Sequence, residues 1–280
     1  MQPVVSVLRF TRELIDVPGL VKNLVRHRQL IGLMARRDFS ARYRGSLGGL
    51  FWAVFRPLVM MTIYTVIFSL FLKVKFSTDA SPVTFSVYLL CGMLPWQAFS
   101  EGLTASTDVV RANVNLVKRV IFPLEILPIN LALAGAIQQL IGFALLVPLA
   151  WWVNGQLHWS LLFVPVILVL QMLFAVGMSW IVASLAVYLP DLGQFMALLL
   201  TVWMYLTPIF YPEDVVPVQA IIILRLNPMA RFVTLYRNAF MTGVLPSLDG
   251  FVGAVVLCLL VFLVGYFWFM HTKKGFADVL

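Results

Sequence analysis

Charge is scarce in this chain, and the little it carries avoids the places where membrane chemistry would need it. Only 11% of the 280 residues are charged, against 61% hydrophobic, and the mean hydropathy is +0.96. A soluble domain carries roughly a quarter of its residues as charges, so long apolar stretches and a membrane setting are indicated instead. All twelve acidic residues fall in connections or at the ends of apolar stretches. Ion-coupled pumps need intramembrane carboxylates as relays, so a secondary transporter is disfavoured. Cys91 and Cys258 lie within apolar runs with no CxxC or Cys/His neighbour, which argues against a disulfide framework or a metal site and for small buried side chains. His27, His158 and His271 are far apart in flanking segments, so no acid–base or metal cluster is expected. There is no G-x-x-x-x-G-K-[ST] loop. The chain therefore does not bind ATP that way by itself, and any uphill transport draws its energy from a partner. Residues 1–47 contain no uninterrupted apolar core with a cleavage site and do not read as a signal peptide.

Six stretches approach the roughly 20 apolar residues that a bilayer core requires: 49–72, 83–103, 126–153, 161–188, the shorter 195–211, and 251–270. The expected fold is an all-α integral membrane protein. Residues 1–48 form a cytoplasmic segment with an amphipathic interface helix, 49–270 the six-span region and 271–280 a tail. Basic residues are distributed unevenly: nine Lys/Arg lie within residues 1–47. With the N-terminus inside, the inner connections hold fourteen Lys/Arg and the outer ones five, which places both termini in the cytoplasm. The net charge of +8 then reads as flanks facing an anionic membrane surface. A nucleic-acid partner is not expected, because no basic face sits on a soluble domain.

Two segments are patterned without being long enough to span. In 20–44, Leu20, Leu24, Ile31 and Met34 are surrounded by Lys22, Arg26, Arg28, Arg36 and Arg37, the pattern of a basic helix lying on the cytoplasmic leaflet. On the outer side, Asn227–Pro228 divides an apolar stretch into halves, because a residue before proline avoids the helical region. In the second half Met229, Phe232, Tyr236 and Phe240 recur at helical spacing, while Arg231, Thr234 and Asn238 fall on another face. Two readings fit: a helical hairpin dipping in from the outside, or an amphipathic helix anchored at the interface.

One charge lies inside a span. Arg56 is about 10 Å deep at a rise of ~1.5 Å per residue. It either snorkels to the inner headgroups or faces a cavity, where its guanidinium could hold phosphate oxygens bidentately. Aromatic residues make up 14% of the chain. An interfacial belt accounts for those near span ends. Trp52, Tyr64, Trp203 and Tyr205 are candidates for a ring-lined path on which sugar faces stack.

Six pieces now stand in a recognisable order: "RRDFSARYRGSLGGLFWAVFRPL", "CGMLPWQAF", "NLVKRVIFP", "LPDLGQF", "LTPIFYPEDVVP" and "LNPMARFVTLYRNAF". Together they resemble the membrane subunits of ABC-2 type polysaccharide exporters, the permeases for O-antigen, capsule and teichoic acid. The resemblance covers nearly the whole chain. One departure is "YLPDLG", where many relatives carry a basic residue just before the aspartate. The resemblance implies a homodimer in a bacterial inner membrane, working with two copies of a separate ABC ATPase that binds ATP and Mg; no cofactor is expected in this chain. It implies a coupling helix within 113–123, with Asn113, Asn115, Leu116, Lys118, Arg119, Phe122 and Pro123 facing the ATPase and Asp191 nearby. A plain basic loop is the other reading of that stretch. The outer half-helices become gate helices, with Asn227, Pro228, Arg231, Tyr236 and Arg237 as gate residues whose arginines face a water-filled mouth. The substrate implied is a polyprenyl-pyrophosphate-linked polysaccharide, with Arg42, Arg44 and Arg56 meeting the pyrophosphate among membrane lipids. An ABC-2 exporter of a small amphiphile is the alternative. A membrane enzyme acting on polyprenyl phosphates would need acidic or histidine clusters that are not seen.

Overall fold

The computed structural model describes residues 19, 22, 25–41, 48–49, 51–71, 82–118 and 122–280. Every described element is helical. In chain order the helices are α1 Arg28–Ala41, α2 Phe51–Thr65, α3 Pro82–Ser106, α4 Val114–Val117, α5 Ile126–Asn154, α6 Val164–Tyr188, α7 Leu192–Leu206, α8 Ile221–Leu226, α9 Pro228–Arg237, α10 Leu248–Thr272 and α11 Phe276–Val279.

Among the described residues four helical segments are long and apolar enough to cross a bilayer: Val83–Ser106, Ile126–Asn154, Trp159–Tyr188 and Leu248–Val279. The other two expected spans are helical but short. α2 and α7 have 15 residues each, about 22 Å at ~1.5 Å per residue, less than the ~30 Å hydrocarbon core. α2 contains Pro57 and gives way to a π-helical turn at Val66–Phe71. α7 was expected to run to 211 but stops at Leu206. Thr207 turns to extended backbone ahead of Pro208, which has no N–H to continue the ladder.

Local chemistry sets the other boundaries. α5 ends where Gly155 takes φ +69° and donates its N–H to the Trp151 carbonyl, the left-handed stop that glycine adopts without strain. Ser247 caps α10 by accepting from the Gly250 N–H at 3.3 Å.

The core forms where α3, α5, α6 and α10 pack closely. A Cβ on Gly265 of α10 would collide with the Gly177 carbonyl of α6, and a Cβ on Gly135 of α5 would stand 2.8 Å from the Ala98 carbonyl of α3. Small residues let backbones approach where lipid offers no hydrophobic drive for helix association. α1 packs on α5 and buries Met34 and Ala35, in keeping with the amphipathic reading. Leu20 and Leu24 lie outside the described residues. The outward faces of α7 (Phe195, Leu198, Val202) and α10 (Val252, Val256, Leu260) remain apolar and exposed.

Candidate functional site

The divided outer segment folds as a bent helix pair. Val218–Leu226 and Pro228–Thr242 meet at 91°, with the break at Asn227–Pro228. Met229, Phe232, Tyr236 and Phe240 are all buried to 2% exposure or less, so the apolar stripe faces protein. This excludes a helix that merely floats at the interface. α8 buries nothing.

Asn227 makes the corner. Its carboxamide oxygen accepts from the Met229 N–H at 3.0 Å, the Ala230 N–H at 3.4 Å and the Trp203 indole at 2.8 Å. Its nitrogen donates to the Leu206 carbonyl and the Thr207 hydroxyl. One side chain thus caps α9, with Pro228 at its first position, and fastens it to the end of α7.

The two arginines expected at a gate part company. Arg231 is exposed and donates to the Arg225 carbonyl at 3.2 Å. Arg237, expected to face water, is buried at 7% exposure. Its guanidinium carbon stands 3.4 Å from the Tyr88 ring centroid and it donates to the Ile209 carbonyl at 2.9 Å. A ring face and a carbonyl replace part of its hydration. The Tyr88 hydroxyl donates to the Tyr211 carbonyl, so Arg237 seals the junction of α9, α3 and the 207–211 turn.

A polar knot that the sequence reading missed lies in the middle of the core. Gln171 of α6 donates to the Pro95 carbonyl of α3 and exchanges amide hydrogen bonds with Gln139 of α5, each at 3.0 Å. It also accepts from the Tyr236 hydroxyl at 2.8 Å. All three side chains are buried. The available signal was two amides in the middle of apolar runs, which call for partners across helices.

The candidate path aromatics divide similarly. Trp203 is edge-on to Trp96 and Phe99, and its N–H is taken by Asn227. Tyr64 and Tyr205 both flank Phe210, with centroids 6.1 Å away in each case; Phe210 is a further member of this group that the sequence reading did not name. Trp52 is exposed beside Phe51 and Phe55. Arg42, Arg44 and the Arg56 side chain lie outside what is described.

At the opposite end, residues 107–118 and 122–125 form short turns and the single-turn α4. Asn115 and Lys118 are exposed and Leu116, Phe122 and Pro123 half-buried. The Asn113 amide donates to the Val109 carbonyl. Arg119 lies outside the described residues. Arg111 donates to the Val187 carbonyl at 3.2 Å, and Gly193 lies against Thr107, which brings exposed Asp191 to the same end. Glu125, 3% exposed, pairs with Lys273 at 3.1 Å, and its carbonyl accepts from the Trp180 indole. The start of α5 is thereby tied to α6 and to the tail. Among the described residues no three His, Cys, Asp or Glu stand together as metal ligands would.

The ABC-2 type transporter family description matches residues 29–241. The chain is 28% identical over 264 residues to the O-antigen export system permease protein RfbA of Klebsiella pneumoniae, covering 90% of this chain and 95% of that protein. It is 24% identical over 261 residues to RfbA of Myxococcus xanthus, covering 92% and 98%. The polysialic acid transport protein KpsM of Escherichia coli is 24% identical over 212 residues, covering 74% and 79%.

Proposed function

The chain belongs to the ABC-2 type transporter family, and from that premise we propose that it forms the channel of an ATP-driven exporter of polyprenyl-pyrophosphate-linked polysaccharide. As an ABC-2 permease it is a multi-pass, non-catalytic transmembrane subunit that works with an ATPase partner. In our reading it makes six crossings in a bacterial inner membrane, with α2 and α7 as the two short ones and both termini cytoplasmic. Two copies pair with two ATPase subunits, which hold ATP and Mg. The observation that carries this reading is the bent pair α8–α9, whose apolar stripe is buried in the core while its other face lies open. Irregular backbone at membrane depth is tolerated only where protein or water covers it, as at the mouth of a pore. The named exports of the similar proteins, O-antigen and polysialic acid, favour a glycan cargo.

In this mechanism Asn113, Asn115, Leu116, Lys118, Arg119, Phe122, Pro123 and Asp191 meet the ATPase. Lys118→Glu should then reduce co-purification of the ATPase subunit while the chain stays folded. Arg42, Arg44 and Arg56 supply a cationic inner rim for the pyrophosphate, whose charge cannot cross hydrocarbon unaided. Trp52, Tyr64 and Tyr205 offer weak stacking surfaces along the way, and Asn227, Pro228, Arg231, Tyr236 and Arg237 shape the outer mouth.

The test is the location of lipid-linked glycan in cells lacking this chain, labelled with lectin before and after the cells are opened. Glycan trapped inside, and released by restoring the gene, is the expected result. Normal surface glycan with no internal pool would refute the reading and leave a small amphiphile as cargo.

A further inference from the structure

Burial of Arg237 leaves two outer arginines to be explained. Arg225 and Arg231 line a cleft of about 620 Å³ between the bent pair and the start of α10. Thr234, Asn238 and Ser247 add polar groups to its wall, and aliphatic side chains of α8 and α10 complete it. Among the described residues neither arginine is in an ion pair. Glu213 also lines the cleft, and its carboxylate accepts from the Thr234 hydroxyl. Two guanidinium groups against one carboxylate leave the cleft cationic. It sits on the side of the membrane where basic residues run against the orientation bias.

The placement of Arg231 is specific. Its Nη1 stands 3.4 Å from where a Cβ on Gly253 would be, so the guanidinium rests in the space that glycine leaves open near the start of α10. A cation there with no ion pair among the described residues is met by water or by an anion. The surrounding wall is polar near the arginines and apolar elsewhere, which suits an amphiphile with an anionic head.

We propose that this cleft binds the phosphate ester of a lipid in the outer leaflet, with Arg231 and Arg225 as its ligands. Two sources share that chemistry: the pyrophosphate of the carrier lipid after it has crossed, and an anionic bilayer phospholipid. The carrier source rests on the export reading above, whereas the phospholipid source does not.

The test uses the full chain with its ATPase in phosphatidylcholine nanodiscs. Polyprenyl pyrophosphate is titrated, phosphatidylglycerol is added in a second series, and retained lipid is read by native mass spectrometry. The double variant Arg225→Gln/Arg231→Gln should bind pyrophosphate at least about tenfold more weakly, the scale of one charge-assisted hydrogen bond. Arg231→Lys should retain part of the binding. Glu213→Gln removes the competing charge and should tighten binding about threefold or more, a gain that misfolding cannot produce. If phosphatidylglycerol shows the same arginine dependence and displaces pyrophosphate at equal concentration, the site stands and its ligand is a bilayer lipid. Equal retention of both lipids by wild type and double variant, with no tightening in Glu213→Gln, would overturn the proposal. A chain found not to export glycan would remove the pyrophosphate source while the phosphatidylglycerol series still decided the site, so the two failures are separable.

Discussion

Replacing Asn227 with alanine should loosen the outer half-helix without unfolding the protein. The side chain is 6% exposed as a residue and makes five hydrogen bonds. Losing the cap on α9 costs about 1 kcal/mol. Stranding the Trp203 indole N–H and the acceptors at Leu206 and Thr207 adds about 1–3 kcal/mol. The combined cost of about 2–4 kcal/mol falls on the local opening of 227–237. Hydrogen exchange of the Met229 and Ala230 amides should accelerate about 30- to 1,000-fold, at ~1.4 kcal/mol per factor of ten. Asn227→Asp keeps the accepting oxygens for both backbone amides and the indole and loses the two donated bonds, so its acceleration should be intermediate. The assay is exchange read by mass spectrometry on the detergent-solubilised complex, with amides of α5 as the internal reference. An acceleration in Asn227→Ala below about threefold would refute the view that this carboxamide holds the corner.

Three further outcomes follow from the packing. Gln171→Leu should lower the thermal midpoint more than Tyr236→Phe. The first strands the Pro95 carbonyl, Gln139 and Tyr236 together, about 2–4 kcal/mol, whereas the second removes one hydroxyl from an oxygen that keeps Gln139, about 1 kcal/mol. Equal shifts would show that the knot is not centred on Gln171. Gly265→Val forces a side chain into the Gly177 carbonyl and should prevent recovery of folded protein by size exclusion, while Gly32→Ala, with open space around it, should not. Lys273→Ala removes the ammonium from a nearly buried Glu125 and should destabilise by about 1–3 kcal/mol, the half-open lysine lowering the full cost of a broken buried pair. Combining it with Glu125→Gln should restore part of the loss, measured by thermal unfolding.

Much of the bent pair was legible because it depends on spacing along one chain segment. Met229, Phe232, Tyr236 and Phe240 define a stripe by periodicity alone, and the proline at 228 marks the break. The inward turn of Arg237 was not legible, since its partner Tyr88 lies 149 positions earlier and nothing local announces a ring waiting there. The pairing of Trp203 with Asn227 was hidden for a similar reason. It requires α7 to stop at Leu206 so that Thr207 and the half-helix corner come together, and an apolar run that continues to Tyr211 masks the stop. At the other end the sequence offered a basic loop or a short helix, and the described residues there form short turns and the four-residue α4. Glu125 looked like an ordinary span-end carboxylate; its side chain pairs with Lys273, in the turn after α10, and its carbonyl accepts from Trp180 of α6, neither of which is near it in sequence.

The unequal anchoring of the bent pair has a mechanical consequence. α9 is pinned by the Tyr236 hydroxyl on Gln171, by Arg237 on Tyr88 and by the stripe residues Met229, Phe232 and Tyr236 sunk in the core. Moving it would strip a cation and a phenol of their partners together. α8 has no buried residue. In the channel reading proposed above, widening of the mouth would fall to α8 swinging on the Asn227–Pro228 hinge pin, or to separation of whole subunits, with α9 as the doorpost that travels with its own frame. Passage of a thick polymer would be set by how far six residues can swing, and the post itself need never leave the wall.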